Sequence, residues 1–420
     1  RQGKTIDVGT ADMFFGAKLI QKKMAGQELS RKEVRLLVQE ITNNNLTEAE
    51  IAYFVSAEKT KGMTSKEIIY LTEAMIKTGK TLKFKEKIIA DKHCIGGIAG
   101  NRTTPIIVSI CAAAGLKIPK SSSRAITSAS GTADVIETIA KVDFSAEEIK
   151  KIVNKTNACL VWGGALGLAP SDDKIIHVER ILDLDVEPQL LASILSKKIS
   201  TGSNHILIDI PYGGGKMKTK SQAKSLGRKF KELGRHFSVK IRPIYTDGKE
   251  PIGNGFGPVL EMLDIISVLK NKKDCPQDLK LKSIYLASEL MSLCGIHFSN
   301  FKAKKILESG QAYEKFKEII NTQNNSNDFD KRVSKLKLAK FKKTIYAEKT
   351  GKIIHISNHK INSLCRILGT PETISAGAYL HSHLGKVNKN DAILTIYSEN
   401  KKRIREAARF IKEFEPITIN

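Results

Sequence analysis

The sequence predicts a multidomain α and α/β protein: a small helical domain, a larger α/β domain with a mainly parallel central sheet, and a C-terminal α+β module. Three observations lead there. Residues 11–79 carry apolar side chains at helical spacing, residues after Thr78-Gly79-Lys80 change to short β-rich runs each followed by a helical stretch, and residues 336–420 return to β-rich runs closed by a helix. Strands alternating with helices indicate βα units and a parallel sheet. With 41% hydrophobic and 27% charged residues over 420 positions, the chain has a globular composition and the length for two or three cores.

The elements follow in order. Met13, Ala17, Ile20 and Met24 form one apolar stripe, Ser30 with Glu33 has the spacing of a capping box, and Asn45, Gly62 and Gly79 punctuate the helices. Strands are expected at Ile88-Ile89-Ala90, Leu116–Pro119, Cys159–Trp162 and His205–Ile210. Between Ala169 and Ile199 the pattern is helical without a strand, so this piece is expected to return to the first helices. The expected domains are therefore 1–79 plus about 170–200 (helical), 80–169 plus 201–335 (α/β) and 336–420 (C-terminal, β-rich). Thr322–Asp328 reads as a polar loop, and Lys331–Lys343 as a basic, half-buried element.

Composition narrows the function classes. No run approaches the roughly 18 to 20 apolar residues of a membrane span, and no signal-like segment opens the chain, so a cytoplasmic protein without a membrane partner is expected. The chain starts at Arg1, next to a helical pattern, and is expected to continue a longer one. Its net charge of +25, from 69 basic and 44 acidic residues, suits an anionic ligand. The excess lysines are spread along the chain without a nucleic-acid recognition motif, which makes a nucleic-acid partner the weaker reading. Cys94, Cys111, Cys159, Cys275, Cys294 and Cys365 form no CxxC pair and read as buried free thiols. His381 and His383 would share a strand face, but no third ligand is near in sequence, and no metal site is expected.

Four segments carry chemistry. Asp91-Lys92-His93-Cys94-Ile95-Gly96-Gly97 through Gly100-Asn101-Arg102-Thr103-Thr104-Pro105 follows a strand with glycines and a lysine, and Thr104-Pro105 reads as the cap and first position of the next helix. Strand, glycine loop and helix N-terminus make an anion cradle, although the order is neither that of a P-loop nor GxGxxG. Lys92 is placed on a loop there, where its removal should spare the fold. Ser122-Ser123-Arg124-Ala125-Ile126-Thr127-Ser128 to Gly131-Thr132 crowds hydroxyl donors and an arginine after the next strand; loops at strand C-terminal ends can face one ligand. Gly213-Gly214-Gly215-Lys216 repeats the glycine and lysine pattern after a third strand. In the helix beginning near Pro188, Gln189, Ser193 and Lys197 lie at i, i+4 and i+8, with Asp185 four residues ahead, so that acid, amide, hydroxyl and amine are expected on one face. Each segment also has a plain alternative: a glycine turn, a solvated serine loop or an amphipathic helix with its wet side outward.

Lys-His-Cys-Ile-Gly-Gly, Ser-Ser-Arg-Ala-Ile-Thr-Ser with Ser-Gly-Thr, Val-Trp-Gly-Gly and Ala-Ser-Ile-Leu-Ser-Lys-Lys resemble the thymidine phosphorylase superfamily, in the branch of bacterial thymidine-phosphorylase-like proteins and archaeal AMP phosphorylases. The resemblance covers nearly the whole chain. It implies a helical and an α/β domain hinged around a closing cleft, a small third domain, an extra N-terminal domain in branch members, and assembly at least as a dimer. It also implies that Lys92, Cys94, Gly96, Gly97, Thr103, Ser122 and Thr132 hold phosphate. Ser123 through Ser128 (Ser123, Arg124, Ala125, Ile126, Thr127, Ser128), Arg180, Ser193, Lys197 and Lys216 would hold the base or nucleotide, with Asp185 or His93 as proton donor. Cys94 stands where the family commonly has serine, a weaker hydrogen-bonding partner, and Arg180 matches the base-contacting arginine only across a gap.

The implied reaction is phosphorolysis of a nucleoside, with orthophosphate as co-substrate and no cofactor. Thymidine giving thymine and 2-deoxyribose 1-phosphate is the first reading; AMP giving adenine and ribose 1,5-bisphosphate is the alternative, and a non-catalytic nucleotide- or nucleic-acid-binding protein is the rival from another class. An aspartate donor would need its pKa raised.

Overall fold

The computed structural model describes residues 15–125, 128–164, 167–182 and 184–420. Met13, Ile126 and Thr127 therefore lie outside the described residues. The chain divides into two compact units, Arg1–Thr81 with Gly167–Ser200, and Leu82–Leu166 with Thr201–Asn420.

The first unit consists of α1 (Phe15–Met24), α2 (Arg31–Thr42), α3 (Glu48–Lys61), α4 (Ser65–Thr78), α8 (Pro170–Leu182) and α9 (Glu187–Ser200). Capping boxes at Ser30/Glu33, Thr47/Glu50 and Thr64/Glu67 start α2, α3 and α4 by meeting main-chain N–H groups that have no partner inside the helix. Each such cap contributes about 1 kcal/mol. Apolar faces then close one core, with Leu37, Val38, Phe54, Leu71, Met75, Ile175 and Ala192 buried in it. Lys174 of α8 donates to the last carbonyls of α2, Ile41 and Thr42, at 2.7 Å each, which ties the later helical segment to the first. Glu58 is buried with neither carboxyl oxygen hydrogen-bonded.

The second unit holds β1 (Ala90–Cys94), α5 (Thr103–Ala113), β2 (Ile118–Ser122), α6 (Thr132–Glu137), α7 (Ala146–Thr156), β3 (Ala158–Trp162), β4 (His205–Tyr212), α10 (Lys220–His236) and β5 (Lys240–Asp247). It continues with β6 (Gly255–Phe256), α11 (Pro258–Leu269), α12 (Gln277–Leu293), α13 (Ser299–Glu308), α14 (Gln311–Asn324) and α15 (Phe329–Ser334). β1, β4 and β5 pair in parallel with β4 central, β2 and β3 pair in parallel, and a parallel bridge from Ile89 to Lys117 joins the two pieces. All five strands thus end at one edge. The register sets Cys94 beside Asp209 and Lys92 beside Leu207.

Three local expectations change. β1 and β2 begin two residues later than the apolar runs suggested and continue into Asp91, Lys92, Lys120 and Ser121, all buried. The structure tolerates them because the charges meet: Lys120 lies 3.4 Å from Asp91 and donates to the Ser121 carbonyl at 2.8 Å. β5, not expected at all, is a half-exposed edge strand mixing Lys240 and Arg242 with Ile241 and Ile244. α5 starts at Thr103, so Thr104 and Pro105 are already helical; a proline in the first turn loses no hydrogen bond.

The C-terminal residues form β7 (Phe341–Tyr346), β8 (Gly351–Ile356), α16 (Asn358–Leu368), β9 (Gly377–Leu380), β10 (Gly385–Val387), β11 (Ala392–Ser398), α17 (Lys401–Phe414) and β12 (Ile417–Ile419). They fall within the second compact unit and share its chain from Leu82 to Leu166 and from Thr201 onward. β6 completes the order β6-β9-β11-β7, and Ala99, Ala129 and Phe256 belong to the core around Ile353, Leu364 and Ile396. His381 meets Thr395, while His383 lies between Glu250 and Asn254, so the two rings serve different partners. Among the described residues no group of three metal-ligating side chains occurs, and no helix is long and apolar enough to cross a membrane. All six cysteines are free thiols, five of them buried.

Candidate active site

The end of β1 supplies Lys92, His93 and Cys94. Lys92 is a strand residue, 1% exposed, and its Nζ donates to Thr103 Oγ1 at 2.9 Å in the first turn of α5. Burial pulls its ammonium below the usual lysine value, while Asp209 opposes this. Asp209, wholly buried on β4, accepts from Thr246 at 2.6 Å and sits 3.4 Å from Lys282 of α12. Burial alone would raise its carboxyl, but Lys282 and Lys92 hold it below the usual range. Two cations thus share one buried anion. The group keeps an excess of positive charge at the strand end, where an anion can balance it. The Cys94 thiol is pushed up by burial and by Asp209, so it remains an S–H group; Asn101 Nδ2 donates to its sulfur at 3.4 Å.

Beyond Cys94 the chain turns through Gly96 and Gly97 with φ of +88° and +86°, a region favouring glycine. A Cβ on Gly97 would fall 2.8 Å from the Lys216 main-chain nitrogen, and one on Gly96 would lie 3.9 Å from Lys216 Cε. The two glycine loops therefore abut, with the Lys216 side chain over the first.

At the end of β2, Ser122 Oγ is buried and has no hydrogen-bond partner within the protein. Ser123 is exposed, and Ser128 Oγ donates to the Ser130 carbonyl at 2.8 Å. Asp134 closes the loop by accepting from the Ala125 and Gly131 N–H groups at 2.7 Å each. The Arg124 guanidinium lies 4.6 Å over the Trp162 ring and pairs with Glu137 and Asp134, so its charge is largely satisfied. Thr132 Oγ1 accepts from Arg102 at 3.1 Å.

Arg102, which the sequence did not mark, links the loops. Its Nε donates to buried Glu261 at 2.6 Å and its Nη2 to the Ser130 carbonyl at 2.7 Å, while Glu261 also accepts from Ser130 Oγ at 2.8 Å. Asp209 could have been suspected from sequence, since a lone carboxylate in Ile-Leu-Ile-Asp-Ile must be paired if buried. Arg102, Glu261 and Lys282 gave no such signal.

In the helical unit Gln189, Ser193 and Lys197 do share one face of α9, but the acid they meet is Asp172 of α8. Asp172, wholly buried, accepts from Gln189 and Ser193 at 2.8 Å each and from Lys197 at 2.7 Å; Lys197 also reaches Asp173 at 3.1 Å. Burial would lower the Lys197 ammonium, yet Asp172 and Asp173 outweigh it and hold the pKa above its ordinary value. Asp185 is not brought into this stripe: it is exposed in the turn before α9, and its carbonyl accepts from Lys59 at 2.9 Å. Arg180 is exposed near the end of α8, apart from the Asp172 contacts.

Residues 17–79 match the helical bundle domain of the glycosyl transferase family and residues 86–187 its a/b domain. An AMP phosphorylase of Pyrococcus horikoshii is 46% identical over the whole chain and 84% of its own length. A Legionella pneumophila (strain Corby) protein named "Putative thymidine phosphorylase" is 39% identical over the whole chain and 81% of its own. Anthranilate phosphoribosyltransferase from Thermus thermophilus shares the fold at 16% identity, with a TM-score of 0.58 over 73% of this chain and 99% of that one. With relatives this similar along its full length, and with the bundle and a/b domains matched in order, the chain belongs to the thymidine phosphorylase superfamily, in the branch of the AMP phosphorylases, and is a pentosyltransferase of the nucleoside phosphorylase kind.

Proposed function

We propose that the protein cleaves the N-glycosidic bond of a nucleoside 5′-monophosphate such as AMP with inorganic phosphate, giving free base and ribose 1,5-bisphosphate. The observation that carries this reading is the presence of two separately placed cations at the strand ends: Lys92, anchored to Thr103, and Lys216 over Gly96-Gly97. The first suits orthophosphate and the second a 5′-phosphate. A phosphate oxygen attacks the anomeric carbon while the bond to the base nitrogen breaks; the electron pair leaves with the base, which takes up a proton, and the sugar passes through an oxocarbenium-like state. Lys92, Thr103 and Ser122 hold the attacking dianion in place. His93, at the end of β1 and one residue from Lys92, is the proton donor in this reading.

Thymidine as substrate is favoured by one observation: the Arg124 guanidinium is already paired with Glu137 and Asp134, which removes a donor from any second phosphate site. The test is base release from AMP, thymidine, uridine and cytidine, with and without phosphate. We expect phosphate-dependent adenine release, and in Lys216→Ala a loss of kcat/KM on AMP at least tenfold larger than on thymidine. Equal losses on both would return the reading to thymidine, and no free base from any substrate would overturn catalysis.

A further inference from the structure

Two asparagines of the C-terminal region reach into the loops just described. Asn358, the first residue of α16, is 2% exposed; its Oδ1 accepts from the Ala99 N–H at 3.0 Å, and its Nδ2 donates to the Gly248 carbonyl at 3.0 Å and the Gly214 carbonyl at 3.5 Å. One turn later, Asn362 Oδ1 accepts from the Ala129 N–H at 3.0 Å. These atoms belong to the loops that leave β1, β2, β4 and β5, the glycine loops and the serine loop among them. The amide orientations follow from chemistry, because only the oxygen can meet an N–H and only the amino group a carbonyl.

The surroundings are built for these contacts. Ala99 and Ala129 are buried, so their N–H groups cannot turn to water instead. A Cβ on Gly214 would fall 2.3 Å from the Gly248 carbonyl and 3.0 Å from Asn358 Nδ2, so the glycine permits the approach. Cys365, on the same helix, contacts the Phe256 carbonyl at 3.7 Å, extending the seam. A side chain that accepts and donates at once is required at 358: Asp would keep the first function and lose the second.

We propose that Asn358 and Asn362 are positioning residues for the phosphate and nucleotide loops, and that the C-terminal region sets their spacing through α16. The inference rests on the phosphorylase reading above. Displaced loops bind the dianion less well while the reacting groups themselves stay in place. Asn358→Ala and Asn362→Ala are therefore expected to raise the KM for phosphate at least tenfold with kcat changed less than threefold.

The experiment measures KM and kcat for phosphate in both variants at a temperature where circular dichroism shows each folded. Leu394→Ala, in the same core on β11 and without a hydrogen bond to the loops from its side chain, calibrates a purely structural loss. It should lower Tm without moving the KM. If Asn358→Ala does not fold, Asn358→Asp, which retains the bond to Ala99, decides under the same threshold. A KM within twofold of wild type in the folded variants, or a KM shift equally large in Leu394→Ala, overturns the proposal. Should wild type show no phosphorolysis, the functional reading fails by itself, and the rise in Tm on adding phosphate, expected in wild type and reduced in both asparagine variants, still judges the positioning role. An unreduced rise would sink it.

Discussion

Lys92 sits inside a strand, and that decides what its removal does. A lysine on a solvated loop could be truncated with little effect on folding, as its place ahead of the glycines suggested. Here the ammonium is buried and shares Asp209 with Lys282. Removing it leaves Asp209 with Lys282 alone and the buried Thr103 hydroxyl without its donor, a loss of about 1–3 kcal/mol. Lys92→Met, which keeps the apolar stem, should therefore lower both stability and activity. The expected loss is at least about 100-fold in kcat/KM at limiting phosphate, the scale of one preorganised donor, together with a lower urea midpoint. Activity near that of the parent at limiting phosphate would remove Lys92 from the site.

At the scale of elements, the Asp172 carboxylate ties α8 to α9, with Asp173 as a second, more exposed contact. Three donors of α9 converge on Asp172, so Asp172→Ala strands Lys197 with only the more exposed Asp173 and is expected to destabilise the helical unit by about 3–5 kcal/mol. Ser193→Ala deletes one hydrogen bond of the set and should cost about 1 kcal/mol. Denaturant unfolding of the two variants checks the ranking, and equal losses would contradict it. The stripe itself was legible, since Gln189, Ser193 and Lys197 recur every fourth residue and a helix period places them together. Its acid was not. Asp172 meets them from another helix, and spacing along one helix says nothing about the neighbour. The same limit explains the strands. Apolar runs marked β1 and β2 within two residues, but their last residues are charged or hydroxylated and become strand only because Asp91, Lys120 and Asp209 find partners across the sheet. Contacts of high sequence separation, such as Asn358 with Ala99 or Arg102 with Glu261, leave no periodic trace at all.

Each unit also carries a buried carboxyl group pushed above its ordinary pKa, and this sets how the whole molecule should respond to pH. In the helical unit burial pushes Glu58 well above the usual carboxylate range, and nearby Glu179 adds to it. In the α/β unit burial pushes Asp264 up to about 7, although the Gly255 and Asn254 N–H groups pull the other way. A raised carboxyl binds its proton more tightly in the folded state, so between the unfolded pKa, near 4, and the folded one the native form holds more protons. Stability must then fall as pH rises, by up to about 1.4 kcal/mol per pH unit for each group. Glu33 has the opposite sign: hydrogen bonds from Lys22 and Ser30 lower it to about 2, so its contribution is present above the usual carboxylate pKa and is lost as pH falls toward 2. Stability should therefore peak near pH 5 and decline through 7. Glu58→Gln and Asp264→Asn remove the titrating proton; at 264 the amide oxygen can still accept from both N–H groups. Thermal unfolding at pH 5, 6, 7 and 8 should show wild type losing stability along the series. Each variant should flatten the transition of its own unit, so that its advantage over wild type grows with pH. Profiles that stay parallel to wild type would mean that these carboxyls do not titrate with folding.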